Sequence, residues 1–219
     1  MPRLRGAFFL NRGHLIEFKA VSPLCADGCR SLARFIWHAQ GSIPVPLGRQ
    51  AAQLAEETPG PPGRVHDLGR FDDETARQAL SACLPHRFAD ALRPQLQWYA
   101  CRGAGFHTDA HYSSVLFGAW YLAGPPRNLA FAHPAVHLAC PIGELVVFDP
   151  FQPHAMLDPG QERYERERYV AAPASVFLGF ELELTAAVGR EFGIGPADAG
   201  AFSIGSGTAV NAETGQVTR

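Results

Sequence analysis

The chain has 219 residues, 47% of them hydrophobic and 18% charged, with a formal net charge of −2. That is enough apolar material for one buried core; it argues against wholesale disorder, and 22 Gly and 18 Pro without a Gly-X-Y period exclude collagen. No run approaches the roughly 18 apolar residues of a membrane span. The 18 Arg and single Lys are scattered among 21 acidic residues. A soluble, cytoplasmic protein with no nucleic-acid footprint and no membrane partner is therefore expected.

The cysteines, Cys25, Cys29, Cys83, Cys101 and Cys140, are odd in number and form no CxxC pair, so free, buried thiols are expected. In chain order, residues 22–39 carry apolar side chains at mostly helical spacing and predict an amphipathic helix, with Ser22 as N-cap and Pro23 at its first position. Residues 55–70, with three prolines and three glycines, read as a loop. A second helix is predicted over 73–92, capped by Asp73 or Asp72 and broken or kinked at Pro85.

From about residue 95 the chain changes to short apolar and aromatic runs punctuated by Gly, Pro and Asn, the pattern of an antiparallel β region. The predicted strands are 95–101, 106–109, 114–122, 129–131, 135–140, 144–148, 154–157, 168–172 and 176–185. That number of strands suggests a barrel-like roll of two packed sheets. Beyond residue 185 the patterning is weak, and the end either forms a hairpin around Asn211 to Gly215 or frays. The expected organisation is a single domain: a helical and loop region over 1–94, a β core over 95–185 and an extension over 186–219.

One segment offers chemistry. In GFHTDAHY, His107 and Asp109 stand two residues apart on a predicted strand, where period-2 alternation points both to one face and within reach of a single metal ion. His154 follows in GELVVFDPFQPHAML, after an apolar strand and a proline turn. Two histidines and a carboxylate form a facial triad that suits Fe(II) and leaves adjacent coordination positions open, whereas structural zinc favours a closed tetrahedral set.

The series Tyr99-x5-Gly105-Phe106-His107-x-Asp109, then GELVVFDPFQPHAM, then a later arginine, resembles the Fe(II)/2-oxoglutarate-dependent oxygenases over residues 95–185. The resemblance implies a mainly β fold with flanking α-helices around a double-stranded β-helix, a jelly-roll or cupin-like core. It makes His107, Asp109 and His154 the catalytic iron ligands, with Fe(II), O2 and the cosubstrate 2-oxoglutarate. It places Arg168 on the distal carboxylate of 2-oxoglutarate and Tyr99 in a hydrogen bond to the 2-oxo acid, with Arg102, Arg127, Arg163 and Arg166 as alternative anchors. The implied reaction hydroxylates a small molecule and releases succinate and CO2.

Phe106, Trp120, Tyr99 and Tyr112 are candidate walls of the reaction pocket. The short stretch between Asp109 and His154 leaves substrate selection to the N-terminal helices, the 55–70 loop or the C-terminal tail. His111 reads as a loop histidine or an outer partner of the site, Asp149 as a turn residue, and the remaining histidines carry no assigned chemistry. The long apolar late strand is a candidate homodimer contact. Two other readings stay open: a cupin-like metalloenzyme, an isomerase or dioxygenase, without 2-oxoglutarate; and a non-catalytic β-roll binding module. Only the module leaves His107, Asp109 and His154 apart.

Overall fold

The structure, a computed structural model, describes residues 13–18, 24–58, 60–133 and 135–218. In chain order its elements are β1 (His14–Glu17), β2 (Leu24–Ala26), β3 (Arg30–Ser31), β4 (Phe35–Gln40), α1 (Val45–Glu57), β5 (His66–Phe71), α2 (Glu74–Cys83), α3 (His86–Ala89), β6 (Leu92–Cys101) and β7 (Ala104–His107). There follow β8 (Val115–Ala123), β9 (Arg127–Ala132), β10 (Ala135–Cys140), β11 (Glu144–Phe148), β12 (His154–Leu157), a 3-10 turn (Arg166–Tyr169), β13 (Ser175–Glu183), α4 (Ala186–Glu191), β14 (Phe202–Ile204), β15 (Ala209–Val210) and β16 (Val217–Thr218). The fold is mainly β with few helices, and among the described residues no helix is long and apolar enough to cross a membrane.

Alternation along the central strands sets the layers. On β8, Leu116, Trp120 and Leu122 face the helices, while Ala119 and Tyr121 face the opposite way; on β13, Val176, Leu178 and Phe180 join the helical side and Phe177 the other. A strand buried on both faces needs apolar residues at every position, which explains the near-continuous hydrophobic runs in both. These strands lie in a seven-stranded sheet of order β1-β4-β11-β8-β13-β6-β5. Leu47 and Ala51 of α1, Leu80 of α2 and Phe88 of α3 cover one face, each buried Leu or Phe side chain contributing about 1.5–3 kcal/mol.

The second face packs on a four-stranded antiparallel sheet of order β10-β9-β12-β7. Leu129, Phe131, Leu138 and Met156 of that sheet meet Tyr121, Phe148 and Phe177 across the gap. A small sheet, β14-β2-β3, joins the two ends of the chain through the parallel pair β14 and β2. Its residues Leu24, Ala26 and Ile204, with Leu32 just after β3, enclose Phe151 from the turn between β11 and β12.

Several expectations are corrected. The region 22–39 is not a helix but the strands β2, β3 and β4; Ser22 and Pro23 lie outside the described residues. Asp27 (φ 46°) and Gly28 (φ 67°) are both left-handed, and the Cys29 amide donates to the Ala26 carbonyl, so Asp-Gly makes the tight turn of a hairpin. The second predicted helix is two: Asp73 caps α2 by accepting from the Ala76 amide at 2.8 Å, and Pro85 ends it before α3.

The loop is confined to residues 58–65, since α1 and β5 occupy its flanks. Residues 168–172 form no strand, because the charge-rich run Arg166–Tyr169 closes a 3-10 turn. The hairpin at the end is present as β15 and β16 around Asn211 to Gly215, with the Asn211 side chain accepting from the Glu213 and Thr214 amides, both at 3.0 Å.

Gly118 on β8 faces Phe180 on β13, and a Cβ there would stand 2.1 Å from the Phe180 ring. Gly118→Ala is therefore expected to destabilise the protein by about 1–3 kcal/mol, because the ring has to leave its packed position. A urea midpoint that falls while the m-value stays constant checks this.

Candidate metal centre

His107 ends β7 and His154 begins β12, and the antiparallel register pairs these two residues directly. Their rings lie 4.4 Å apart between centroids. Asp109 sits two residues beyond His107, where its amide donates at 2.9 Å to the carbonyl of Pro150 in the turn before β12. The three expected ligands thus come together, with their donor atoms all within 4.8 Å of one another.

Each ring is oriented from behind. His107 Nδ1 lies 2.8 Å from the Gly105 carbonyl and His154 Nδ1 2.8 Å from the Gln152 carbonyl. A carbonyl only accepts, so both Nδ1 atoms carry a proton, and each Nε2 is left facing Asp109. The Nε2 atoms of His107 and His154 stand 3.8 and 3.6 Å from Asp109 Oδ2, too far for hydrogen bonds.

Two donors bound at right angles, each about 2.1 Å from one ion, would be about 3 Å apart. The residues therefore fit a divalent ion after drawing in by about an ångström, and the backbone acceptors supply the outer hydrogen bonds that metal-bound histidines require. Burial first, and the neighbouring His107 second, push His154 down to about 4, which keeps it neutral and able to ligate.

The triad opens on a cavity of about 620 Å³ between the two sheets. Phe106, Phe117, Phe148, Phe177, Leu129 and Met156 give it an apolar wall, and Tyr99, Tyr112 and Tyr121 bring hydroxyls. Tyr99 stacks on Phe177 with centroids 5.3 Å apart, and a Cβ on Gly179 would come within 2.4 Å of the Tyr99 ring. Burial, then the adjacent Tyr112, push the Tyr99 phenol far above its ordinary range; burial likewise raises Tyr112. Both remain protonated at neutral pH, and their hydroxyls interact with each other.

Burial pushes the thiols of Cys101 and Cys140 up to about 11 and about 12, so they are neutral filler, not nucleophiles or ligands. Four of the five cysteines are buried, and Cys29 is exposed.

The flanking segments complete the wall. Gly63, Arg64, Val65 and Asp67 enter from the Pro-rich loop and β5, and Ala212 from the C-terminal turn. The same segments hold the free edge of β7: Gly105 donates to the Gly63 carbonyl at 3.3 Å and Phe106 to the Ala212 carbonyl at 2.7 Å. His111 also lines the cavity, its ring 4.1 Å from that of Tyr112.

Other expected residues lie elsewhere. Trp120 faces the helices, not the cavity. Arg168 is exposed on the 3-10 turn, paired with Glu165, because the strand that would have turned it inward does not form. Arg102 donates to the Val170 carbonyl at 2.7 Å, and Arg163 and Arg166 are exposed. Arg127 is buried, but it bonds Asp158 and the Pro173 carbonyl and lies over the Tyr169 ring. None of these five arginines lines the cavity; Arg64, itself exposed, is the cation in its wall among the described residues.

In the metal-free protein His154 is neutral when folded and takes up a proton when unfolded at any pH between about 4 and 6.5. The unfolded state binds more protons in that window, so stability present above pH 6.5 falls as the pH drops toward 4, by about 3 kcal/mol in all. Urea unfolding of metal-free protein across this range should show the slope, and His154→Leu should flatten it. Comparison of the chain with known protein families and with curated proteins finds no match.

Proposed function

We propose that the protein is a mononuclear non-haem Fe(II) oxygenase that acts on a small, largely apolar molecule, with 2-oxoglutarate as cosubstrate. The observation that carries this reading is the convergence of two ring-oriented histidines and one carboxylate at the wall of an aromatic cavity. An Fe(II) ion in such a ligand set supplies oxygen activation with neighbouring positions open to substrate and cosubstrate. A binding module has no need of that convergence.

The path of the chain supports a double-stranded β-helix. From β6 to β13 it crosses between the two sheets so that β11-β8-β13-β6 face β10-β9-β12-β7, eight antiparallel strands in two layers. In this reading Phe117, Phe148 and Phe177 exclude water from the reacting groups, and the hydroxyls of Tyr99 and Tyr112 orient a polar substituent of the bound molecule.

One observation favours a second reading, a cupin-like metalloenzyme without 2-oxoglutarate. Among the described residues no arginine or lysine is buried in the cavity wall to pair with a distal carboxylate. A dicarboxylate would instead be held by tyrosine hydroxyls and the exposed Arg64, a weaker arrangement than a buried bidentate pair.

Anaerobic titration of metal-free protein with Fe(II) and then 2-oxoglutarate separates these readings. A weak visible charge-transfer band that disappears in His107→Ala and His154→Ala is the expected result. Arg64→Ala should then raise the 2-oxoglutarate requirement about tenfold, while Arg168→Ala leaves it unchanged. Iron binding without the band selects the second reading, and absence of metal binding overturns both.

A further inference from the structure

Asp149 directly follows β11 and is completely buried. Its carboxylate accepts from Arg30 twice, Nη1 to Oδ2 at 2.6 Å and Nη2 to Oδ1 at 3.0 Å. It also accepts from the Ala33 amide at 3.0 Å and the Phe151 amide at 3.2 Å. Arg30 belongs to β3 in the small sheet built from both chain ends, its guanidinium lies 5.1 Å from the centroid of the Phe151 ring, and its side chain is 15% exposed.

A buried ion pair is by itself a poor source of stability, since desolvation offsets most of its attraction and an apolar pair often does as well. This pair has a geometric consequence instead. It anchors the turn 149–153, and that turn offers two carbonyls to the metal centre: Pro150 to the Asp109 amide at 2.9 Å and Gln152 to His154 Nδ1 at 2.8 Å. The turn is held at a second point where Gln152 Nε2 donates to the Ala33 carbonyl at 2.9 Å, from the residue whose amide bonds Asp149. Two of the three ligands thus hang from one turn, and Arg30 is its distant fixing point.

We propose that Arg30 is a positioning residue of the metal centre, acting through Asp149 and the turn to hold Asp109 and His154 in ligating orientation. This rests on the metal-binding reading above. A purely structural salt bridge would change the unfolding free energy and leave the affinity of the folded protein for an ion unaltered. A positioning residue changes that affinity, and the proton position on His154, in protein that remains folded.

The experiment is a Co(II) titration of full-length protein followed by visible absorption, paired with 15N NMR of the imidazoles in the metal-free state. Arg30→Met is compared with the double variant Arg30→Met/Asp149→Asn, which leaves no orphaned buried charge and keeps a side-chain oxygen to accept from the Ala33 or Phe151 amide. Arg77→Met, which removes an exposed pair with Glu74 on α2, is the control. The expected result is Co(II) affinity weakened about tenfold or more in both Arg30 variants, as for loss of outer partners of a metal site, with partial recovery in Arg30→Lys and no change in Arg77→Met. His154 should show the Nδ1-protonated ring in the wild type and a mixture in the variants. Wild-type affinity and an unchanged His154 ring in a folded Arg30 variant overturn the proposal while leaving the metal reading intact. A wild-type protein that binds no Co(II) overturns the metal reading itself, and the role of Arg30 with it.

Discussion

The antiparallel register of β7 against β12 is the constraint on which the site depends. It places His107 opposite His154, although 46 residues of chain separate them in sequence. Side chains alternate with period two, so one residue of slip in β12 would put Ala155 where His154 stands and send the imidazole to the outer face. Met156 on the inner face and Leu157 on the outer face resist that slip, since both are buried in different apolar clusters. Hydrophobic patterning therefore enforces the register that brings His154 opposite His107.

Much of the core was legible because burial leaves a local signature there. The limits 135–140, 144–148 and 154–157 agree with β10, β11 and β12, and the neighbouring strands differ by a few residues at their ends. His107, Asp109 and His154 were legible as a set because their residue types suit one ion and because two lie close together in sequence. The N-terminal region was misread for a physical reason. Apolar residues of β2 and β4, with Leu32 between them, recur at intervals resembling a helix, whereas Asp27–Gly28, a strong two-residue hairpin signal, reverses the chain. Helix α1, with Pro46 in its first turn, went unassigned.

What the sequence did not disclose was the direction of long polar side chains. The alternation around Arg168 predicts an inward-facing strand, but its backbone turns and the guanidinium meets Glu165 in solvent. Asp149 looked like a turn former, and it is one, yet its partner Arg30 lies 119 positions away. No local pattern announces such a pair. The polar contacts supporting His107, Asp109 and His154 are mainly backbone carbonyls, which any residue supplies and which therefore leave no mark in residue identity.

The covering of β7 by Gly63 and Ala212 has a consequence for how this scaffold can vary. A bare outermost strand is a template on which another chain adds itself, the usual start of ordered aggregation. Here the loop and tail that shape the cavity also consume the amides of that strand. Replacing either segment to admit a different guest would therefore do more than reshape a wall: unless the newcomer restored the same hydrogen bonds, it would unseal the sheet. Cavity shape and edge protection are coupled in this protein, and sequence drift in the two segments is bounded by both.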